Sequence, residues 1–442
     1  MHIPSPFRFL ASAAVVGVSL GAQAQAVSPS PDFARISPVV NGMLPSLETL
    51  YQDLHAHPEI AFQEVRTAAR MADEMRKLGF EVTERIGGTG VVALYRNGPG
   101  PTVLVRTELD ALPMEEKTGL PYASRAKAMS NGRETFVAHS CGHDIHMASW
   151  VGTARALLAV KEQWKGTLMF VAQPAEETVS GARAMIADGL FTRFRKPDFA
   201  FALHTSPSPY GYVGYRVGAI SSNSDAMEIT FKGRGGHGSA PDKTIDPIAI
   251  AARFVTDVQT VVSREKDPAE FGVVTVGSIQ GGTVGNIIPD TVVLRGTIRS
   301  YKPEVRDKLL AGIRRTARAA AMMGDAPEPS VELVPGGMAV VNDEAVVART
   351  VAALKASLGE GQVVAVPPIT ASEDFSEFVN AGVPSMFFFI GVLSPQDVAD
   401  SKKPGGKPLA FNHSPFFAPV PEPSIRTGVE AMSLAVLATL TR

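Results

Sequence analysis

Three histidines and a cysteine fall within eight residues of this chain, in the segment His139-Ser140-Cys141-Gly142-His143-Asp144-Ile145-His146. A thiolate and an imidazole two positions apart can bind one borderline-soft cation, such as Zn²⁺, Mn²⁺, Co²⁺ or Ni²⁺. A cysteine–histidine nucleophile pair is the competing interpretation, but a catalytic thiol also needs an orienting partner and an oxyanion donor. The segment does not clearly supply either of these, so it favours Cys141 and His143 as metal ligands.

Two adjacent carboxylates, Glu176 and Glu177, follow an apolar run that reads as a strand. On its own such a pair would be a solvated acidic turn. Beside a cation, however, one carboxylate can bind the metal while the other takes a proton from water activated by that metal, as hydrolysis requires. His204 follows another apolar strand, and His413 lies in a late loop.

A further acidic pair, Glu108 and Asp110, follows the predicted strand Thr102 to Arg106. Acidic residues at strand ends are usually solvated, so this signal is weak alone. It gains weight because ligand-binding groups in a parallel sheet gather at the carboxyl ends of the strands. We therefore expect Asp110 to lie near Glu176 and His204.

The elements that must position these groups alternate between strands and helices, which predicts a mostly parallel sheet in a three-layer α/β domain. The predicted strands are Gly90 to Tyr95, Thr102 to Arg106, Gly166 to Val171, Phe199 to Leu203 and Pro384 to Ile390. The predicted helices are Leu44 to His55, Val65 to Leu78, Ile145 to Val160, Gly181 to Asp188 and Glu422 to Leu440.

The middle of the chain has a different texture, with strands and helices in the order β-α-β-β-α-β. Its first five elements are the strand Asp225 to Lys232, the helix Pro247 to Val262, the strands Val273 to Ile279 and Asp290 to Arg299, and the helix Pro303 to Met322. This order predicts an inserted α+β domain of the ferredoxin-like kind. We expect a catalytic domain formed by residues 27–220 and 336–442, interrupted by an insert at 221–335.

Length and composition agree with a two-domain globular protein, because 442 residues exceed one ordinary core and 45% of them are hydrophobic. The formal net charge of −2 gives no electrostatic footprint for nucleic acid. A single cysteine excludes an internal disulfide, so the stability of the fold must come from its core.

The first residues have the layout of a secretory signal peptide. Arg8 precedes an apolar run from Phe9 to Gly21, and Ala24-Gln25-Ala26 offers a small-x-small cleavage site. The run is shorter than the roughly 20 residues that a membrane-spanning helix needs. We therefore expect residues 1–26 to be removed and the protein to be exported to the periplasm or medium, with no membrane association afterwards.

The motifs together resemble those of the metallopeptidase family that contains hippurate hydrolases, N-acyl-amino-acid amidohydrolases and indole-acetyl-amino-acid hydrolases. The resemblance runs from His57-Pro58-Glu59 to His413 and so covers nearly the whole mature chain. It implies a zinc-peptidase-like catalytic domain with a lid or dimerisation insert, two divalent cations per subunit, and a homodimer or higher homo-oligomer. It also implies ligand roles for Cys141, His143, Glu177, His204 and His413, and the role of general base for Glu176.

The resemblance assigns a role to the insert as well. Gly235-Gly236-His237-Gly238-Ser239-Ala240-Pro241 is similar to the family's lid motif, whose histidine binds substrate and polarises the scissile carbonyl, often across a dimer interface. Asn286 lies in the companion glycine-rich loop and is implied as a substrate contact. From the residues alone, both segments read as structural turns, because glycine mainly permits unusual backbone angles.

One position departs from the family's pattern. Glu108 stands where the family usually has Asp, which keeps the charge but lengthens the side chain, so Asp110 is the better candidate for orienting the site. The function expected is hydrolysis of an amide bond in N-acyl amino acids, small peptides or amino-acid conjugates. An exported protein that binds a small ligand without catalysis is the alternative, although it would have no need of Glu176 as a proton shuttle.

Overall fold

The computed structural model describes residues 30–440, so the predicted signal peptide at 1–26 lies outside the described residues. Among residues 30–440, no helix combines the length and the apolar character needed to cross a membrane. The helices, numbered in chain order, are α1 Pro31–Ala56, α2 Val65–Lys77, α3 His143–Ala159, α4 Gly181–Ala187, α5 Leu190–Arg193, α6 Pro247–Thr260, α7 Pro303–Met323, α8 Glu344–Leu358, α9 Ser376–Asn380, α10 Pro395–Ser401 and α11 Pro421–Leu437.

The strands, numbered in the same way, include several that are only two to four residues long. They are β1 Glu81–Ile86, β2 Gly90–Arg96, β3 Thr102–Glu108, β4 Lys127–Ser130, β5 Arg133–Phe136, β6 Thr167–Gln173, β7 Phe199–Pro209, β8 Val213–Tyr215, β9 Gly218–Ala219, β10 Asp225–Lys232, β11 Gly236–His237, β12 Gly272–Gln280, β13 Ile287–Ile288, β14 Thr291–Ser300, β15 Ser330–Pro335, β16 Val341–Asn342, β17 Val363–Ala365 and β18 Ser385–Leu393.

An eight-stranded sheet forms the middle layer of the larger domain, in the order β1-β2-β6-β3-β7-β18-β8-β17. Its centre, β6-β3-β7-β18, is parallel as predicted. Four of its seven pairings are parallel, and the sheet is mixed because β1 with β2, β2 with β6, and β8 with β18 pair antiparallel. The three-layer α/β class is confirmed.

Alternating side chains of the buried strand β3 show why helices cover both faces of this sheet. Val103 and Val105 pack into the apolar core beneath α1, α3 and α11, whereas Leu104 packs into the core on the opposite face with residues of α4 and α9. All seven residues of β3 are buried. The carboxyl end of β3 is therefore held rigidly at the middle of the sheet.

Helix α1 begins well before the predicted Leu44. Ser30 accepts a hydrogen bond from the backbone N–H of Phe33 at 3.3 Å, and Pro31 occupies the first turn, where its missing N–H costs nothing. The helix continues through Pro38 and Pro45. Prolines usually end a helix, but burial of the apolar face of α1 outweighs the lost backbone bonds here.

The insert forms its own four-stranded antiparallel sheet, in the order β12-β14-β10-β15. Read from its other edge, this is the order of a ferredoxin-like fold, so the predicted class of the insert is confirmed. Its helices α6 and α7 cover one face, around a separate core that includes Ile229, Phe254 and Ile313.

The chain enters and leaves the insert side by side. Backbone N–H groups of Ile220 and Ser224 donate to the carbonyls of Val340 and Gly337, at 2.9 and 2.8 Å. Asp225, the next residue after Ser224, forms an ion pair with Arg306, whose guanidinium donates to both carboxylate oxygens at 2.7 and 2.8 Å. The two crossings therefore form one firmly bonded junction.

Candidate metal and catalytic centre

The carboxyl ends of three parallel strands meet at one place, as the sequence predicted. Asp110 follows β3, and Glu176 and Glu177 follow β6. His204 belongs to the third strand, β7, which continues to Pro209 rather than ending at Leu203 as predicted. His204 is thus fixed within a strand, which holds its imidazole more firmly than a loop would.

Cys141 and His143 reach the same place from the start of α3. Gly142 between them has φ of 86°, a left-handed conformation that glycine adopts without strain, and it approaches β7 closely. A Cβ atom at Gly142 would lie 2.6 Å from the Thr205 hydroxyl oxygen. Glycine is therefore required here to bring the thiol and the imidazole against the sheet.

His413 joins this group from a distant part of the sequence. Its backbone N–H donates to the Ser140 carbonyl at 2.8 Å, and the Asn412 side-chain amide donates to the Cys141 carbonyl at 2.9 Å. The late loop is thus bonded to the Cys141 loop. His413 remains about half exposed, with 55% of its side chain open to solvent, so it lies at the mouth of the site.

The five residues that the resemblance implied as ligands lie together. The Cys141 Sγ lies 3.4 Å from His204 Nε2, and His413 Nε2 lies 3.4 Å from the Glu177 carboxylate. The ligand atoms of Cys141, His143 and His204 lie within 4.8 Å of one another, as do those of Cys141, Glu177 and His413. Cys141 belongs to both groups, so these five residues together would hold two cations.

The hydrogen bonds of these side chains leave the right atoms free for a cation. A carbonyl oxygen can only accept, so His143 Nδ1 donates to Asp110 at 2.8 Å and His204 Nδ1 donates to Thr205 at 2.8 Å. In the neutral imidazole this leaves the lone pair on Nε2, and His143 Nε2 and one Glu177 oxygen are buried without a hydrogen-bond partner. Such orphaned buried atoms are costly unless a metal occupies the site, so the residues fit divalent cations.

The electrostatics of the protein alone also favour a cation. Burial and the nearby Glu373 and Glu177 raise the pKa of Glu176 well above its ordinary value. Burial lowers the pKa of His143, but its bond to Asp110 and the surrounding carboxylates outweigh this and raise the value to about 10. Burial lowers the pKa of His204 to about 3, which keeps that imidazole neutral and able to bind metal.

Asp110 and Glu108 support the site from behind. One Asp110 carboxylate oxygen accepts from the Glu177 backbone N–H at 3.0 Å, and the other lies 3.6 Å from His143 Nδ1. Glu108 contacts Arg106 on one side and accepts from His146 Nδ1 at 2.8 Å on the other. Its longer side chain therefore joins Arg106, beneath the site, to His146 of α3.

Two functional neighbours, Glu373 and Asp374, were missed by sequence reasoning. The buried guanidinium of Arg106 donates to Glu373 at 2.8 Å and to Asp374 at 2.9 Å. The ligand atoms of both lie within 4.8 Å of a Glu176 oxygen. Their only sequence signal is an acidic pair, Glu373-Asp374, just before the apolar Phe375, and its meaning depends on a contact with β3.

The structure does not bring His237 and Asn286 to this centre. His237 lies on the surface of the insert, where its Nδ1 accepts from the Ser239 backbone N–H at 3.1 Å. Asn286 lies beside it, because its carbonyl accepts from Gly238 N–H at 2.8 Å. Neither residue is among those that line the cavity of the same subunit.

A cavity of about 660 Å³ opens from the candidate ligands along the sheet. Its lining includes apolar side chains of the sheet, Arg299 of the insert, and Cys141, Glu176, Glu177, His204 and His413. An α/β domain with this donor set, an adjacent buried carboxylate and a substrate-sized cavity defines a metal-dependent hydrolase.

Residues 104–437 match the peptidase family M20/M25/M40. The chain is 36% identical over 334 residues to a hippurate hydrolase from Campylobacter jejuni, a match that covers 75% of this chain and 84% of the relative. It is 34% identical over 350 residues to an N-acetyl-L-cysteine deacetylase from Bacillus subtilis, covering 78% and 80%.

A crystal structure gives the same result. A dinuclear metal-binding peptidase of the M20 family from Bacillus subtilis superposes with a TM-score of 0.74 at 29% identity, covering 90% of this chain and all of that chain. The protein belongs to peptidase family M20/M25/M40. The predicted family and the predicted class, a metal-dependent amidohydrolase with two divalent cations, are confirmed.

Proposed function

We propose that the protein hydrolyses the amide bond of N-acyl amino acids, small peptides or amino-acid conjugates, with Glu176 as general base. The position of Glu176 carries this proposal: the carboxylate lines the cavity and lies 3.8 Å from His143 Nε2, next to the five candidate ligands. The likeness to a hippurate hydrolase and to an N-acetyl-L-cysteine deacetylase supports the same substrate class.

Two divalent cations held by Cys141, His143, Glu177, His204 and His413 would polarise the amide carbonyl and make water a nucleophile near neutral pH. The thiolate, imidazole and carboxylate donors suit Mn²⁺, Zn²⁺, Co²⁺ or Ni²⁺. Glu176 takes the proton of the attacking water and passes it to the leaving amine. Burial and the neighbouring carboxylates raise the pKa of Glu176 well above its ordinary value, which favours uptake of that proton.

The remaining residues orient these groups. Asp110 holds His143 through its backbone carbonyl and Glu177 through its carboxylate, so both keep their ligand atoms towards the cavity. His237 stabilises the negative charge that develops on the carbonyl oxygen, and Asn286 contacts the substrate. Both would have to reach the cavity from another subunit or after closure of the insert.

Exchange of Glu176 for Gln tests the central role. Glu176→Gln should keep its metal content, measured by inductively coupled plasma mass spectrometry, and lose about 10²- to 10⁴-fold in kcat, as expected for loss of a general base. Cys141→Ala is the matched control, because it should lose metal as well as activity. A Glu176→Gln enzyme with near wild-type kcat on a hippurate-like amide would contradict the proposal.

A cysteine hydrolase deserves the same test, because Cys141 Sγ and His204 Nε2 are only 3.4 Å apart. Two observations disfavour it. Burial raises the pKa of the Cys141 thiol well above its ordinary value, and the His204 Nδ1 donates to a backbone carbonyl rather than to an acidic partner. Activity that survives removal of metal by a chelator would revive the cysteine hydrolase.

We also propose a homodimer in which His237 of one subunit serves the cavity of the other. One support is that His237 does not line the cavity of its own subunit. The other is a set of apolar side chains at or near the edge strand β12 that are each more than half exposed: Ile279, Val284 and Ile287. Light scattering should give a dimer mass. Inactive Glu176→Gln and His237→Ala proteins should regain activity when mixed, and failure to do so would contradict a role across subunits.

Export is proposed from the first 26 residues of the sequence, with cleavage after Ala26. The layout of Arg8, the apolar run and the small residues before Val27 supports it. Fractionation of expressing cells and mass spectrometry of the mature N-terminus test this directly. Full-length protein retained in the cytoplasm would contradict it.

A further inference from the structure

A buried histidine behind the metal centre bonds two carboxylates at once. His55 lies in the last turn of α1. Its Nδ1 lies 2.6 Å from an Asp144 oxygen, and its Nε2 lies 3.1 Å from a Glu116 oxygen. All three side chains are buried. The hydrolysis proposed for this chain does not use any of them.

These bonds require His55 to be a cation, because a carboxylate only accepts hydrogen bonds and an imidazole that donates from both nitrogens is charged. The second Asp144 oxygen accepts from the Ile145 backbone N–H at 2.9 Å. The second Glu116 oxygen accepts from the Ser124 backbone N–H at 2.6 Å. Burial lowers the pKa of His55, but its bonds to the two acids outweigh this and raise the value to about 10.

The surrounding elements favour this arrangement of charge. His55 lies at the carboxyl end of α1, where the helix dipole favours a cation, and Asp144 lies in the first turn of α3, where the dipole favours an anion. Tyr51 and Tyr122 pack against the imidazole, with ring centroids 5.5 and 5.2 Å from its own. The two aromatic rings therefore restrict the plane of the imidazole.

The bond to Asp144 reaches the first group of candidate ligands. Asp144 directly follows His143 at the start of α3. The turn that carries Cys141 and His143 leads into this helix, so a fixed Asp144 side chain limits how far the turn can move from α1. The His55–Asp144 bond thus fixes the thiol and one imidazole from behind.

The bond to Glu116 reaches the second group. The next residue, Lys117, donates its backbone N–H to the Pro415 carbonyl at 2.7 Å. Pro415 lies two residues after His413, so the loop that carries His413 is bonded to the loop that carries Glu116. One imidazolium therefore connects both sides of the centre.

We propose that the His55 imidazolium is a positioning group for the metal centre, which holds the start of α3 and the His413 loop at the separation that two cations require. This inference rests on the proposed ligand set and adds to it a residue that lies behind the ligands. Replacement of residues that orient metal ligands in this way typically costs about 10- to 100-fold in metal affinity.

Metal affinity of the full-length protein, measured without substrate, tests the proposal. His55→Gln can donate to only one of the two acids, so it should weaken binding of Zn²⁺ or Mn²⁺ by about 10- to 100-fold in competition with a chromogenic chelator. Arg155→Gln is the matched control, because it removes an ion pair with Glu74 at 2.7 Å on the same helix, about 16 Å along α3 from Asp144. It should leave metal affinity unchanged, whatever its effect on the melting temperature.

A double-mutant cycle asks whether His55 acts through Glu116. Glu116→Gln alone should weaken metal binding, because an amide group replaces one of two oxygens that accept from His55 and from the Ser124 N–H. Combined with His55→Gln, the total loss should be smaller than the product of the two single losses, since both variants remove the same bond. Independent losses would overturn the connection to the His413 loop. Glu116→Gln also tests the same bond if His55→Gln folds poorly.

The charge of His55 can be observed directly by NMR of ¹⁵N-histidine-labelled, Zn²⁺-loaded protein. At pH 8 an ordinary imidazole is neutral, since its pKa is about 6.5. One imidazole should nevertheless carry protons on both ring nitrogens. This signal should vanish in His55→Gln and persist in His57→Gln, because the side chain of His57 is about half exposed and lies outside the pair of acids.

Unchanged metal affinity in His55→Gln, an equal loss in Arg155→Gln, or a neutral His55 at pH 8 would overturn the inference. Cys141→Ala separates it from the proposed function, because that variant should lose metal whatever the role of His55. A Cys141→Ala protein that keeps its metal would count against the proposed ligands and against this inference with them. A wild-type protein that binds metal but cleaves no amide would count against the proposed activity alone, and metal affinity would still decide the role of His55.

Discussion

Replacement of Arg106 should show how far one buried cation holds the centre together. Its side chain has no exposed surface and donates to Gln173, Glu373 and Asp374 at 2.9, 2.8 and 2.9 Å, besides its contact with Glu108. Arg106→Met keeps much of the volume but leaves three buried carboxylates without their counter-ion. Removal of one partner from a buried ion pair typically costs about 3–5 kcal/mol.

The expected loss can be expressed as a melting temperature. With an unfolding entropy of about 2.1 cal/mol/K per residue, a catalytic domain of roughly 300 residues would melt about 5–8 °C lower. Circular dichroism of the metal-loaded protein measures this. Arg183→Met is the control, because the Arg183–Glu377 pair is largely exposed on the arginine side and such pairs contribute roughly 0–1 kcal/mol.

The loss from Arg106→Met should also depend on pH. Burial raises the pKa of Asp374 to about 7, even though Arg106 opposes this, so the variant should raise it further. A carboxyl with a raised folded pKa stabilises the fold below its unfolded pKa and loses that contribution as pH rises through the folded value. The gap between variant and wild type should therefore be larger at pH 8 than at pH 5. A loss no greater than that of Arg183→Met, or one independent of pH, would refute the reasoning.

Two further predictions concern the loops of the site. Gly142→Ala should lower metal occupancy and the melting temperature more than Gly119→Ala does, because both positions have positive φ but only the Cβ at Gly142 meets Thr205. Glu64 accepts from Ala175 N–H at 2.9 Å, and burial raises its pKa to about 7. The contribution of Glu64 to the free energy of unfolding should thus fall as pH rises towards 7. Glu64→Gln should flatten this part of the stability–pH profile. Glu64→Ala should lower kcat more than it alters KM.

The residues alone pointed to Cys141 and His143 as metal ligands, and the family resemblance implied the full set with Glu177, His204 and His413. His143 begins α3 two residues before the predicted start at Ile145, Glu177 follows an apolar strand, and β7 continues past its predicted end at Leu203. These signals are local. Their convergence follows from the rule that carboxyl ends of parallel strands meet at one edge.

The acidic residues Glu373 and Asp374 could not be predicted in the same way. Their burial depends on Arg106, which lies more than 260 positions earlier in the chain. The absence of His237 from the lining of its own cavity could not be predicted either, because a sequence motif does not say where the insert places a residue relative to the sheet. The strand β1 was missed because it lies at the sheet edge, where half of its side chains are exposed and charged.

The bonded junction at the base of the insert has a consequence for how the larger domain folds. β8 and β17 must pair although the whole stretch from Asp225 to Pro335 lies between them. Once the insert has folded, its ends are already bonded together at Ser224 and Gly337, so the connection between β8 and β17 shortens to roughly a quarter of its length. Shortening a loop by that much lowers its closure cost by about 1 kcal/mol. The folded insert therefore makes the pairing of β8 with β17 easier, and we expect the insert to fold before the catalytic sheet.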